Sequence, residues 1–280
     1  MESTKGLAVS LVEEDVPSAT PDQTRAELLE RTGRSAAPIL KAFVQNPDRR
    51  IKDRSGPLSE FVRNGDLRGL RAFLLLHAMI SSGGKDHHDW STSLPIGAWA
   101  RAFDTTAAAD KASARAAVSK ILRRLEDRKL ITRARVGKKR LVKVTILRPD
   151  GHGGPYTRPG KGNADRFLPL DNTFWTDHWF QQLKLPETAM LLVALHEKPG
   201  FEVATEKFPE WYGWSADTAE RGFGVLADLG LLRIDKEKRT SALSDTGTMT
   251  VNIYTLTGPF AHKQSAAGKG PQRETPRLGG

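Results

Sequence analysis

Lys138, Lys139 and Arg140 follow Gly137 directly, and Lys120, Arg123 and Arg124 precede them on what reads as one helix. Cations gathered in this way neutralise phosphates; they do not make a nucleophile–base pair. Phosphate contacts of this kind supply most of the affinity for a nucleic acid and little of the sequence choice. Ser113, Ala116 and Ser119 lie nearer the start of the same helix. Small side chains there let a helix approach base edges closely, with Lys120 beside them.

The elements that must hold these residues are legible around them. Val118, Leu122 and Leu125 recur at helical spacing, and Ile121 widens their apolar face. Ser113, Ala116, Lys120, Arg123 and Arg124 fall on the opposite face. Leu130 and Ile131 lead out of the helix into the alternating run Thr132-Arg133-Ala134-Arg135-Val136. Gly137-Lys138-Lys139-Arg140 reads as a tight basic turn. Leu141, Val142, Val144, Ile146 and Leu147 then read as a return strand.

A helix followed by such a hairpin resembles the recognition helix and β-wing of winged helix-turn-helix domains, as in MarR-like and GntR-like regulators. The residues that carry the resemblance are 118–131, VSKILRRLEDRKLI, with Lys129 where the family pattern usually has a helix-stopping Gly. The resemblance implies that Ser113, Ala116, Ser119 and Lys120 face bases in the major groove. It implies that Arg123 and Arg124 reach the DNA backbone, and that Lys138, Lys139 and Arg140 touch phosphates or the minor groove.

Charge placement agrees. Residues 57–148 hold 19 basic and 8 acidic side chains, a net charge of +11, whereas residues 167–260 hold 8 and 13, a net charge of −5. The positive excess sits where the hairpin is, as a polyanion-binding face requires. The chain has no cysteine, which removes disulfides, thiolate nucleophiles and zinc fingers. No apolar run is long enough for a membrane span, and the first residues lack the pattern of a secretory signal. The expectation is a cytoplasmic, nucleoid-associated protein without cofactor or membrane partner.

Along the chain, residues 1–56 read as a flexible N-terminal region with short helices. One is capped by Asp22 over 24–31; another turn or two is marked by Ile39, Leu40, Phe43 and Val44. Residues 57–148 form the basic domain. It opens with an apolar helix over 67–81, then a strand over 90–93 and a helix over 95–103. Residues 149–166 are a Gly/Pro-rich linker. Residues 167–260 form an acidic second domain, with an aromatic helix over 172–183, a helix over 186–196, a short helix holding Phe208, Trp211 and Tyr212, and a helix capped by Ser215. A mixed-charge wing over 235–250 and a return strand end it. Residues 261–280 read as a disordered basic tail.

The second domain repeats the first. Leu226 with Leu231 and Leu232 stands as Leu125 does with Leu130 and Ile131, and Ala219 and Phe223 as Val118 and Leu122, at one common offset. Gly213-Trp214-Ser215-Ala216-Asp217-Thr218-Ala219-Glu220-Arg221 then matches the turn and start of a recognition helix. Ser215, Asp217, Thr218, Glu220 and Arg221 occupy its reading positions. The expected fold is mainly α with small β-wings: two winged helix-turn-helix domains in tandem plus disordered tails.

Rival chemistry is thin. Asp86-His87-His88-Asp89 resembles a metal cluster, but adjacent histidines on an extended chain point apart, so a polar loop is expected. Trp175, Trp179, Trp211 and Trp214 could stack on single-stranded bases, but their spacing fits a core or a protein interface. No nucleophile–base motif is present, and no enzyme is expected. The leading expectation is a sequence-specific double-stranded-DNA-binding transcriptional regulator. A plasmid or phage replication initiator that binds origin repeats, and a tandem winged-helix protein-interaction module, stand as alternatives. For the acidic second domain, base reading and the binding of a second copy, as a homodimer, or of a protein partner both stand open.

Overall fold

The computed structural model describes residues 17–81, 89–106, 110–160 and 166–262. Helix α1 (Pro21–Glu30) opens the described chain. Its cap is Thr20, whose hydroxyl accepts from Gln23 N while the Gln23 side chain accepts from Thr20 N, and Asp22 pairs instead with Arg25. Strand β1 (Ala36–Leu40) and a 3-10 turn at Lys41–Phe43 occupy the stretch whose apolar spacing suggested helix.

The first repeat follows as α2 (Leu58–Arg63), α3 (Leu67–Met79), β2 (Ser91–Leu94), α4 (Ile96–Ala102), α5 (Lys111–Asp127), β3 (Ile131–Val136) and β4 (Leu141–Ile146). Helix α3 buries Leu70, Phe73, Leu74 and Leu76 completely, as expected of a helix apolar on most sides. Helix α5 buries Ala114, Val118, Ile121, Leu122 and Leu125 along one stripe. The sheet has the order β2-β4-β3, with Val136 opposite Leu141 across the basic turn.

The second repeat is β5 (Phe167–Asp171), α6 (Thr173–Thr176), α7 (Trp179–Gln182), α8 (Leu185–His196), β6 (Phe201–Glu202), α9 (Phe208–Trp211), α10 (Ala216–Asp228), β7 (Leu232–Thr240) and β8 (Thr248–Leu256). Its sheet order is β6-β8-β7, matching β2-β4-β3 strand for strand. The expected aromatic helix over 172–183 is broken in two, because His178 takes a left-handed conformation at φ 59°. Trp175 and Trp214 are buried, and Trp179 and Trp211 pack against the same core.

The expectation of a mainly α fold with small wings is overturned. Helix makes up 43% and strand 22% of the described residues, in three small sheets, so the class is mixed α/β. Two features raise the strand content. The second hairpin is a ribbon of nine residue pairs, from Leu232↔Leu256 to Thr240↔Thr248, where a small wing was expected. An unexpected sheet pairs β1 with β5 antiparallel, with Pro38 opposite Pro169. Proline offers no N–H to a ladder, so both sit in a two-stranded sheet with no third strand to satisfy.

That pairing joins the segment ahead of the first repeat to the first strand of the second. Further contacts reinforce it. Arg54 N donates to Glu210 O at 2.8 Å, and the Gln45 amide donates to Trp211 O at 3.3 Å. Gly213, at φ 86°, lies so close to the first repeat that a methyl group there would come within 2.7 Å of Ser59 Cβ. One hydrophobic core cluster includes residues of both repeats.

Candidate nucleic-acid interface

Asp110 starts α5 by accepting from the backbone N–H groups of Ala112 (2.8 Å) and Ser113 (3.0 Å). The Ser113 N–H, the Ser113 hydroxyl at 2.7 Å and the Ala112 N–H hold its carboxyl below the ordinary range. Ser113 is therefore exposed but engaged in the cap. Ala116, Lys120 and Arg123 are exposed, opposite the buried stripe. Ser119 is half-buried, and its hydroxyl donates to Arg115 O at 3.1 Å.

Arg124 is placed differently from its expected reach to the DNA backbone. Its guanidinium grips Asp66 with two hydrogen bonds, Nε to Oδ2 at 2.9 Å and Nη2 to Oδ1 at 2.8 Å. Arg128 adds a third at 2.7 Å while its guanidinium lies 4.3 Å from the Phe61 ring centre. Asp66 caps α3 by accepting from Gly69 N at 3.0 Å. Burial alone would raise this carboxyl, but the two arginines and the Gly69 N–H hold it below the ordinary range. The trio fixes the C-terminal half of α5 against the start of α3.

At the root of the first hairpin, Arg133 Nε donates to Glu126 at 2.6 Å and Arg133 Nη1 to Ser119 O at 3.3 Å. These bonds tie β3 to α5. A groove of about 200 Å³ runs between helix and hairpin, lined by Ser119, Leu122, Arg133 and Arg135 among others. The turn bends through Gly137 (φ 67°) and Arg140 (φ 49°), and Arg140 N donates to Gly137 O at 3.0 Å. Lys138, Lys139 and Arg140 are exposed there. Among the described residues none of Lys111, Arg115, Lys120, Arg123, Lys138, Lys139 and Arg140 joins an ion pair, and all seven are exposed. Lys111 and Arg115 were missed in the sequence; they share α5 with the residues singled out there.

An offset of 101 residues, from Leu125 to Leu226, carries α5 onto α10. It also matches the helix ends. Lys129 N donates to Glu126 O and Leu130 N to Leu125 O, as Gly230 N does to Ala227 O and Leu231 N to Leu226 O. Lys129 holds the left-handed conformation at φ 57°, where Gly230 has φ 70°. Chemistry is not repeated. Ala116, Ser119, Arg123 and Arg124 become Asp217, Glu220, Gly224 and Val225.

In the second repeat, Ser215 caps α10, accepting from Thr218 N at 3.3 Å and sharing a 2.9 Å hydroxyl contact with Thr218. Asp217 and Arg221 pair with each other at 2.9 Å. Glu220 accepts from the Thr205 hydroxyl at 2.9 Å. Its groove, about 440 Å³, is lined by Glu202, Glu206, Glu220, Arg239 and Met249 among others. Arg239 is bound to Glu202 and Glu237. The helix–hairpin groove is thus basic in the first repeat and acid-lined in the second.

Elsewhere, Asp86, His87 and His88 lie outside the described residues, and Asp89 pairs with Lys143 at 2.5 Å. Among the described residues no group of three or more metal-binding side chains comes together, and no helix is long and apolar enough to cross a membrane. Comparison with protein-family models, with curated proteins and with solved structures finds no match for this chain.

Proposed function

We propose that the chain is a double-stranded-DNA-binding protein that reads its site through α5 of the first repeat and clamps the backbone with the 137–140 turn. The observation that carries this reading is the set of seven exposed cations on α5 and the turn that join no ion pair among the described residues. Surface cations commonly find carboxylate partners, and seven that do not form a face suited to a polyanion. The repeated order of helix, strand, helix, helix and hairpin supports the winged-helix resemblance. Ala116, Ser119, Lys120 and Arg123 are the residues for base edges, and Lys138, Lys139 and Arg140 those for phosphates. The activity is transcriptional regulation by occupancy of DNA, in the cytoplasm and at the nucleoid.

The second repeat has a different task in this reading. Glu202, Glu206 and Glu220 line the groove that holds Arg133 and Arg135 in the first repeat. Carboxylates there repel phosphates, so the second repeat serves a protein partner or a second copy. Ser215, Asp217, Thr218, Glu220 and Arg221 belong to that surface ahead of any DNA contact.

Selection of bound duplexes from a random library, followed by footprinting, tests the proposal. A single operator within a promoter supports a regulator. Direct repeats at a replication origin support the initiator form of the same reading. Recovery of no preferred sequence removes the base-reading role of α5.

A further inference from the structure

A cavity of about 490 Å³ lies where the two repeats meet beside the start of α5. Arg68 and Arg71 of α3 form one wall, Ser113 of α5 another, and Trp175 and Phe180 of the second repeat a third. Its size falls in the range of small-molecule sites, and aromatic rings meet charged and hydroxyl side chains across it. The turn between α4 and α5 supplies Asp104, held in a left-handed conformation at φ 56° without being glycine. Such strain is kept where surrounding structure enforces it, and it gathers at ligand sites.

The charge of the cavity is unbalanced. Asp104 pairs with Arg25 at 3.7 Å, and Arg25 also lies 4.7 Å from the Phe180 ring centre. Arg71 donates to the Leu183 carbonyl at 3.1 Å, a neutral partner. Arg68 is exposed and, among the described residues, joins no ion pair. Burial first, and then the neighbouring Arg68, lower the proton affinity of Arg71, against the opposing pull of Asp104. An anion between the two guanidinium groups would relieve that repulsion.

We propose that this cavity binds a small aromatic anion, its acid group on Arg68 and Arg71 and its ring against Phe180 and Trp175. The ligand touches the second repeat on one side and the N-terminal half of α5 on the other. Binding there changes how firmly α5 is held by the second repeat and so couples to DNA affinity, which by linkage changes ligand affinity by the same factor. The binding claim itself is independent of the DNA-binding proposal.

Thermal unfolding of the full chain with 1-naphthoate, and with the cationic 1-naphthylmethylammonium as a charge control, tests it. The expected result is a saturable rise in Tm with naphthoate at millimolar concentrations and none with the ammonium compound. Arg68→Ala, at an exposed site, weakens the naphthoate response by about tenfold because one charge-assisted hydrogen bond is removed. Ala117→Leu, which fills the cavity from α5, abolishes it. No rise with naphthoate, an equal rise with both compounds, or a rise unchanged in Arg68→Ala overturns the proposal. In the intact chain, naphthoate also shifts the Kd for duplex DNA, and in Arg68→Ala that shift disappears. Naphthoate binding without any shift in an established duplex Kd refutes the coupling. Failure of the intact chain to bind duplex at all, with naphthoate still bound, refutes the DNA-binding reading while the ligand site stands.

Discussion

Arg124 and Asp66 form a two-pronged ion pair, at 2.8 and 2.9 Å, that locks the back of α5 onto the first turn of α3. Asp66 is buried, and Arg128 completes its coordination. Arg124 thus positions α5, its guanidinium held by a carboxylate. Removing the carboxylate strands Arg128 in a mostly buried site. Asp66→Ala is expected to cost about 3 kcal/mol of unfolding free energy, the usual penalty for breaking a buried pair. Urea unfolding measures it. A loss under about 1 kcal/mol would mean that the trio lies in effectively bulk solvent.

Lys129 is the second structural test. It ends α5 in the conformation that Gly230 adopts at the end of α10. A side chain in that region strains the backbone, and glycine relieves the strain at some cost in chain entropy. Lys129→Gly is expected to stabilise the chain by about 0.5–1 kcal/mol. The midpoint of urea unfolding reads it directly, and a lower midpoint would contradict the assignment of strain to this residue.

These two sites show what was legible in the sequence. The succession α5, β3, turn and β4 could be read because each element carries its own period: 3.6 for Val118, Ile121, Leu122 and Leu125, and alternation through 131–136 and 141–146. The repeat in 216–232 was legible for the same reason. Strand β1 was not, since Ile39, Leu40, Phe43 and Val44 imitate a helical face and the pairing partner lies far away at Phe167–Asp171. The long second ribbon was hidden because β7 beyond Ile234 is polar and, apart from the half-buried Arg239, exposed, which leaves no apolar alternation to detect. The basic face was legible from local charge. The engagement of Arg124 by Asp66 was not, because it is a tertiary contact.

His77 makes stability depend on pH. It is buried among Phe73 and Tyr156, with Nδ1 3.1 Å from Phe73 O. Burial lowers its pKa to about 4, against an ordinary 6.5. The unfolded chain binds the proton more readily, so the contribution is complete above pH 6.5 and is lost as pH falls toward 4. Between pH 7 and pH 5 the chain is expected to lose about 2 kcal/mol from this residue. His262, lowered by burial in the same direction, adds to the slope. Urea unfolding at the two pH values should show the loss, and His77→Gln should flatten most of it. An equal slope in the variant would refute the assignment.

Lys120 and Arg123 project from the outer face of α5 and, among the described residues, join no ion pair. Their proposed targets are base edges and the nearby backbone. Lys120→Ala with Arg123→Ala is expected to narrow the gap between specific and random duplex by about 1–3 kcal/mol for each base edge that is no longer bound. Competition binding against random duplex measures that gap. A uniform loss on both duplexes would assign the two residues to phosphates alone.

The central claim, a phosphate-binding turn beside a reading helix, is tested most directly by duplex affinity across a salt series. Fluorescence anisotropy would compare the intact chain with the triple variant Lys138→Ala, Lys139→Ala, Arg140→Ala. The intact chain should bind with an affinity whose logarithm falls linearly with the logarithm of salt concentration. The variant's slope should be shallower by up to about 3 phosphate equivalents. Absence of binding at low salt, or identical slopes for the two proteins, would contradict the claim.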